Sequence, residues 1–348
     1  MSVDEMREMI GGFGSQLRWA AEVDPPVLEG LEHLLVAGMG GSGISADFAA
    51  ALSNRPLAVH KTYGLPAWAA GTRPQVIALS YSGNTEETLS VVEAAIKAGL
   101  TPAVVTSGGT LAEWAGRGGW PSIGVPPGLQ PRAALGYLLG SLLRLLGPGV
   151  VGVTSEHLHA AAQTADTVVG PGGVGWGLAG DLAQGLEGRI VGVYAGTGLA
   201  GPVAQRWKTQ INENAKWPAW YSLLPELDHN EIVSWTSLAT LTRRRVGIVA
   251  LRDRGEPPGV AARFAHTAEV TGGDVNWVGE VWSQGDSPLE RMVSLTAMGD
   301  LVSLELAIRA GVDPVPVAAI EDLKRRLAEA AGPESRTAQS KQEIKGVM

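Results

Sequence analysis

Two glycine turns, each after a short apolar run, constrain the fold of this sequence more than any other feature. The two sets are Gly38, Gly40 and Gly43, after residues 33–37, and Gly196, Gly198 and Gly201, after residues 189–195. Each glycine of the second set lies 158 positions after its counterpart in the first. A buried strand, a tight glycine turn and a helix, in that order, form the repeating unit of parallel α/β sheets. The chain is therefore predicted to contain two such units in tandem.

The remaining sequence continues the same alternation of strands and helices. Predicted strands cover residues 33–38, 57–61, 75–80, 102–107 and 121–125 in the first half and residues 189–196, 218–223, 246–251 and 274–279 in the second. Predicted helices cover residues 3–21, 42–52, 86–98, 131–146, 288–310 and 315–331. Apolar strands that alternate with helices indicate mostly parallel sheets covered on both faces.

The length of 348 residues fits two domains of ordinary size. The predicted division is an N-terminal helix within residues 1–29, a first α/β domain at 30–150, a second at 151–312, a C-terminal helix at 313–331 and a flexible tail at 332–348. The tail is assigned from its polar composition and its place at the chain end.

Composition excludes several classes of chemistry. The absence of cysteine excludes disulfides, thiolate metal sites, iron–sulfur clusters and a cysteine nucleophile. His157 and His159 lack a third ligand nearby in sequence, so no metal site is predicted. A net charge of −8 argues against a nucleic-acid partner. The N-terminus has no signal-peptide pattern, and the apolar stretch 133–146 is too short to span a membrane, so a cytoplasmic location without membrane contact is expected.

The first glycine turn has the spacing G-x-G-x-x-G, from Gly38 to Gly43. Such a turn lets the backbone N–H groups of a helix N-terminus approach a phosphate closely. A dinucleotide site also uses an acidic residue about 20 positions later. Here the next strand ends at His60 and Lys61, so an NADP site that uses these cations remains open. A turn required only for packing remains open as well.

The second turn, residues 80–88, is more informative because three hydroxyl side chains follow one strand. Ser80, Ser82 and Thr85 lie where that strand leads into a helix. Hydroxyls and free helix N–H groups can together donate to the oxygens of a phosphomonoester. Thr85 alone would be explained as a helix N-cap, but the other two hydroxyls would not. The corresponding segment of the second half, residues 252–256, has no hydroxyl, so one phosphate site per chain is predicted.

The stretches GMGGSGISAD and SYSGNTEET resemble the sugar isomerase (SIS) domain, and two tandem copies resemble the phosphoglucose isomerase superfamily. Three further stretches, at residues 128–137, 206–220 and 224–235, resemble the bifunctional phosphoglucose/phosphomannose isomerases, and the likeness covers most of residues 30–330. It implies two tandem SIS-type domains plus C-terminal helices. It also implies interconversion of glucose 6-phosphate and mannose 6-phosphate with fructose 6-phosphate, without a metal or another cofactor.

The resemblance also implies roles for individual residues. Glu213 matches the base that moves the proton between C2 and C1, and Arg132 matches the arginine that stabilises the enediolate. His229 matches the ring-opening residue, which in the family comes from the partner subunit of a homodimer, and Lys324 matches a lysine that assists it. The implied phosphate-binding residues are Gly40, Gly41, Ser42, Ser80, Ser82 and Thr85. Asp228 departs from the family, whose members often have asparagine there.

Two other functions remain open from the sequence. A sugar-phosphate sensor would bind the same ligand without turnover, although the roughly 30 residues before the first strand leave no room for a DNA-binding domain. An NADP-dependent oxidoreductase would rest on the first glycine turn and Lys61. By position alone, Glu213, Arg132 and Lys324 would each be explained as surface groups on helices, and His229 as a cap of the turn after Pro225. Their joint occurrence in matching motifs favours the isomerase.

Overall fold

The computed structural model of this protein describes residues 2–331, so the predicted tail at 332–348 lies outside the described residues. The segment predicted as one N-terminal helix is two helices, α1 (Ser2–Gly11) and α2 (Phe13–Ala21). The interruption falls at the pair Gly11 and Gly12, because each glycine costs about 1 kcal/mol relative to alanine inside a helix.

The first half contains a five-stranded sheet in which every neighbouring pair is parallel. Its strands are β1 (Leu34–Ala37), β2 (Leu57–His60), β3 (Gln75–Ser80), β4 (Ala103–Thr106) and β5 (Ser122–Gly124), in the order β2-β1-β3-β4-β5. The helices of this half are α3 (Gly40–Leu52), α4 (Ala69–Thr72), α5 (Glu86–Lys97), α6 (Gly109–Gly118), α7 (Leu135–Leu146) and α8 (Pro148–Val151). The order reverses between β1 and β3, and ligands of such sheets bind beyond the strand ends at this point.

The second half repeats this plan with a four-stranded parallel sheet. Its strands are β6 (Ile190–Gly196), β7 (Ala219–Leu224), β8 (Val246–Arg252) and β9 (Asn276–Trp282), in the order β7-β6-β8-β9. The helices are α9 (Ser155–Val169), α10 (Gly175–Leu186), α11 (Ala200–Asn214), α12 (Ala239–Arg245), α13 (Pro258–Thr271), α14 (Pro288–Ala310) and α15 (Ala318–Ala331). The strands β6 and β8 therefore correspond to β1 and β3.

One hydrophobic core extends through both halves. It joins residues of β1 and β3 to residues of β6, and the long helix α14 contributes side chains along most of its length. The predicted domain boundary at residue 150 falls within the short helix α8, and the division of the chain remains a prediction. The C-terminal helix begins at Ala318 rather than at residue 315, since Pro314 and Pro316 disfavour helical geometry in the residues before them.

None of the helices between residues 2 and 331 is both long enough and apolar enough to cross a membrane.

Candidate active site

The first glycine turn is packed so closely at Gly38 and Gly41 that a side chain would not fit at either position. A Cβ atom at Gly38 would lie 2.9 Å from the carbonyl oxygen of Leu79, and one at Gly41 would lie 2.9 Å from the carbonyl oxygen of Pro131. Gly40, the first residue of α3, has a φ of +53°. The turn therefore places the N-terminus of α3 against both the end of β3 and the segment around Pro131.

The second turn brings two of its three hydroxyl groups, those of Ser80 and Thr85, within hydrogen-bonding distance of each other. The Oγ of Ser80 lies 2.9 Å from Oγ1 of Thr85 and accepts a hydrogen bond of 3.1 Å from the amide of Gly83. Thr85 stands at the N-cap position of α5, yet its side chain makes no capping hydrogen bond. The simple N-cap explanation of Thr85 therefore does not describe this structure, and its hydroxyl faces Ser80 instead.

The two turns meet at the point where the strand order reverses. The amide of Tyr81, just after β3, approaches Oγ of Ser42 in the first turn of α3 at 3.4 Å. Gly83 has a φ of +67°, and a Cβ atom there would lie 1.8 Å from the carbonyl oxygen of Gly108. The contact between Tyr81 and Ser42 thus joins the two turns that carry the predicted phosphate-binding residues, which are Gly40, Gly41, Ser42, Ser80, Ser82 and Thr85. Two helix N-termini, of α3 and α5, supply N–H groups beside them.

We call the space beyond the ends of β1 and β3, bordered by the two turns and the segment around Pro131, the crevice. Arg132 lies beside it, on a single turn of 3-10 helix (Pro131–Ala133). It is 5% exposed, and its Nε donates to Oδ1 of Asn214 at 2.8 Å. Its Nη2 donates to the carbonyl oxygens of Pro314 and Val315, each at 2.7 Å. Its Nη1 lies 3.7 Å from Oε2 of Glu213. Arg132 is therefore a buried cation that joins the two halves of the chain.

Burial is the main influence on the ionisation of Arg132. Desolvation lowers its pKa, the carboxylate of Glu213 opposes that change, and the nearby Arg206 lowers the pKa further. An arginine keeps its proton even in such surroundings. The side chain of Glu213 is 29% exposed, so the base predicted from the motif lies at the wall of the crevice with a fixed cation beside it.

A buried polar network, absent from the sequence-based prediction, supports Arg132. Nη2 of Arg206 donates to the carbonyl oxygen of Arg132 at 3.1 Å and to Oδ2 of Asp300 at 2.7 Å. Gln210 donates to the other oxygen of Asp300 at 3.0 Å, and Asn214 donates to Ser303 at 2.9 Å. The available signal was the spacing of Arg206, Gln210 and Asn214, four residues apart along α11.

His229 is exposed at the end of a 3-10 turn that follows β7 (Glu226–His229). The neighbouring Asp228 accepts hydrogen bonds of 2.8 Å from both Arg263 and Thr267. Glu231 accepts from Tyr194 at 2.6 Å, from Trp220 at 3.0 Å and from Ser222. Burial and the carboxylate of Glu231 raise the pKa of Tyr194. The loop that carries His229 is thus fixed on both sides of the histidine.

Among the described residues, His229 and Lys324 make no recorded contact with the other two predicted catalytic residues. Lys324 is exposed on α15. Within residues 2–331, no hydrogen bond or ion pair connects either residue with Glu213 or Arg132. The structure therefore pairs two of the four predicted catalytic residues, Arg132 and Glu213.

The corresponding position of the second half is occupied by protein side chains. The guanidinium of Arg252, at the end of β8, lies 4.3 Å from the ring centroids of both Phe264 and Trp282. It also pairs with Glu256 at 2.5 Å and with Glu280 at 2.6 Å. These side chains fill the position that corresponds to the second turn of the first half.

In the first half, Lys61 forms an ion pair with Asp47. The cation on which the NADP hypothesis depended is therefore already neutralised by a carboxylate.

Comparisons with known proteins identify the family. Residues 177–327 match the family model described as the bacterial phospho-glucose isomerase C-terminal SIS domain. The chain is 35% identical over 341 residues to a bifunctional phosphoglucose/phosphomannose isomerase of Caldicellulosiruptor bescii, covering 93% of this chain and 99% of that protein.

Two solved structures share the fold at low sequence identity. A hypothetical protein from Thermus thermophilus has a TM-score of 0.67 at 16% identity, covering 95% of this chain and 91% of the other. A tagatose-6-phosphate ketose/aldose isomerase from Escherichia coli has a TM-score of 0.62 at 15% identity, covering 90% of each chain. The predicted α/β fold with parallel sheets is confirmed. Its sequence relatives show that this chain belongs to the bifunctional phosphoglucose/phosphomannose isomerase family.

Proposed function

We propose that this protein is an isomerase that interconverts glucose 6-phosphate and mannose 6-phosphate with fructose 6-phosphate. The observation that carries the proposal is the carboxylate of Glu213, 3.7 Å from the buried guanidinium of Arg132, beside a crevice lined with hydroxyls and helix N–H groups. A base, a fixed cation and a phosphate cradle are what an aldose–ketose isomerisation through an enediolate requires.

Each group of residues has its own role in the proposed reaction. The two turns hold the 6-phosphate, and Glu213 removes the proton from C2 and returns it to C1. Arg132 stabilises the negative charge of the enediolate, because three hydrogen bonds from its side chain to Asn214, Pro314 and Val315 fix it before substrate arrives. Glucose and mannose 6-phosphates differ only at C2, so loss of that proton gives equivalent enediolates and one base serves both substrates.

The test is a coupled assay of the EDTA-treated protein with each 6-phosphate. We expect conversion of both aldoses to fructose 6-phosphate. Binding of a 6-phosphosugar without turnover would instead support a sensor. Stabilisation by NADP without isomerase activity would support an oxidoreductase.

Free sugar phosphates are cytoplasmic metabolites, and we propose that the protein acts in that compartment.

Thr85→Val is expected to raise KM for both 6-phosphates by about 10-fold, with kcat nearly unchanged, because one hydrogen bond to a charged oxygen is lost. The measurement is steady-state kinetics of the wild type and the variant. The matched control is Thr88→Val on the same helix, since the hydroxyl of Thr88 is buried without a hydrogen-bond partner. Equal effects of the two substitutions would contradict a role for Thr85 in phosphate binding.

We further propose a homodimer in which His229 completes the crevice of the partner chain. Three apolar residues within the twelve positions that follow His229 are exposed, at 70% for Val233, 60% for Leu238 and 56% for Leu241. The helix that carries Lys324 also exposes Ile320, Leu323 and Leu327 at helical spacing. Exposed apolar groups that follow His229 in sequence or share a helix with Lys324 support burial of these segments in an assembly.

Mixing two inactive variants tests this arrangement. Glu213→Gln and His229→Ala, unfolded together and refolded as a mixture, are expected to recover about a quarter of wild-type activity if each crevice takes its glutamate and its histidine from different chains. Half of the dimers are then hybrids, and each hybrid has one intact crevice. Sites built within one chain would keep one lesion each and recover nothing. Each variant refolded alone is the control.

A further inference from the structure

The backbone of Lys216 adopts an unfavourable conformation directly after the helix that carries Glu213. The helix α11 ends at Asn214, and Lys216 has a φ of +56°. Among the non-glycine residues that the structure describes, only Arg73, with a φ of 46°, shares the left-handed region. Glycine or asparagine normally occupies this position after a helix, because other side chains destabilise it.

The side chain of Lys216 lies among the groups of the crevice. Its Nζ donates to the carbonyl oxygen of Glu213 and lies 3.4 Å from the carbonyl oxygen of Pro314. The same Pro314 oxygen accepts a hydrogen bond of 2.7 Å from Arg132. Two cations therefore converge on one neutral acceptor, beside the carboxylate of Glu213.

The pKa of Lys216 responds to the charge of Arg132, the other cation of the crevice. Desolvation lowers the pKa of Lys216, and the positive charge of Arg132 lowers it further, while Asp313 and Glu213 act in the opposite direction. Repulsion between two neighbouring cations disappears when an anion binds between them. The enediolate of the proposed reaction is such an anion, and it forms beside Arg132.

A lysine at a helix C-terminus also satisfies terminal carbonyl groups, and this is the simpler explanation of its contact with Glu213. That role does not require a left-handed backbone, and a lysine one turn earlier would fulfil it without strain. Residues held in unfavourable backbone conformations are concentrated at functional sites. The unfavourable backbone of Lys216 and the convergence of its side chain with Arg132 both indicate a functional role for Lys216 in the crevice.

We propose that Lys216 is a second substrate-contacting cation, whose ammonium binds the enediolate oxygens together with Arg132. This inference rests on the proposed isomerase function. It adds a residue to which the family resemblance assigned no role.

The first test compares two glycine substitutions that relieve the same kind of backbone strain. We expect Lys216→Gly to lower kcat by about 100-fold, as loss of an electrostatic stabiliser does. Its Tm is expected to stay equal or to rise by about 2 °C. The control is Arg73→Gly, whose side chain is exposed and donates to the carbonyls of Ala98 and Gly99. We expect Arg73→Gly to leave kcat unchanged.

The second test separates binding of the enediolate from binding of the phosphate. Inhibition by 5-phosphoarabinonohydroxamate, which mimics the enediolate, is compared with inhibition by arabinitol 5-phosphate, which does not. In Lys216→Gly we expect a rise of about 10-fold in the inhibition constant of the hydroxamate only. Lys216→Arg, which keeps the charge, is expected to recover part of both kcat and hydroxamate affinity.

Two results would overturn the inference. One is kcat and hydroxamate affinity within twofold of wild type in Lys216→Gly. The other is equal weakening of both inhibitors, which would place the effect at the phosphate. In either case an active wild type leaves the proposed function intact, whereas failure of that function shows as a wild type that converts no 6-phosphate.

Discussion

Glu213→Gln is expected to lower kcat on both 6-phosphates by a factor of about 10³, within the range lost when a general base is removed. Glutamine has nearly the same shape but cannot accept the C2 proton. The side chain is 29% exposed, and its contact with Arg132 is long at 3.7 Å, so the fold and Tm should change little. The coupled assay measures the loss of turnover. Proton NMR in deuterium oxide, which follows deuterium incorporation at C2, tests proton abstraction itself.

The matched control is Glu187→Gln. Glu187 also stands at the end of a helix and pairs with an arginine, Arg309, at 3.3 Å, but it is exposed and has no recorded contact with Arg132 or Glu213 among the described residues. Its kcat should equal that of the wild type. If Glu213→Gln retained more than about a tenth of the activity, its loss would fall below the range for a general base, and Glu213 would not be that base.

Asp300→Ala is expected to cost about 3–5 kcal/mol of unfolding free energy, because breaking a buried ion pair leaves its partner uncompensated. Asp300 is 5% exposed on α14, and it accepts hydrogen bonds from Arg206 and Gln210. Activity should fall as well, since Arg206 also donates to the carbonyl oxygen of Arg132. Urea unfolding followed by fluorescence gives the free energy.

Two further variants locate the cause of this destabilisation. Asp322→Ala breaks exposed ion pairs on α15 with Arg325 and Arg326, and it should cost no more than about 1 kcal/mol. Replacing both charges, as Arg206→Met with Asp300→Leu, should restore part of the stability lost in Asp300→Ala. The explanation would be wrong if Asp300→Ala were no more destabilising than Asp322→Ala.

The sequence predicted the parts of the fold that depend on local patterns. Glycine spacing and apolar runs located both sheets, because strand–turn–helix units have a period that a single sequence shows. The break at Gly11 and Gly12 was missed, since the amphipathic pattern continues across it. The tandem fold and the family were predicted correctly, and the roles of Glu213 and Arg132 remain predictions.

The polar network behind Arg132 depends on long-range packing and was not predicted. Asp300 and Arg206 are 94 residues apart in the chain, and only the packing of α14 on α11 brings them together. A signal existed in α14, because one aspartate within a long apolar helix requires a buried partner. The sequence does not say which arginine provides it. The contacts that His229 and Lys324 make in the reaction were predicted only from the resemblance, and the place of His229 in a partner's crevice remains our proposal.

The hydrogen bonds of Arg132 also have a stereochemical consequence. Of its five N–H groups, three are already directed to Asn214, Pro314 and Val315. Only Nη1 remains, and it is the nitrogen nearest to Glu213. The sugar oxygens that this cation can reach are therefore those beside the carboxylate. In the proposed reaction, departure and return of the hydrogen would therefore be confined to one side of the planar intermediate. The handedness of the product at C2 would then follow from how the open chain is rotated when it binds.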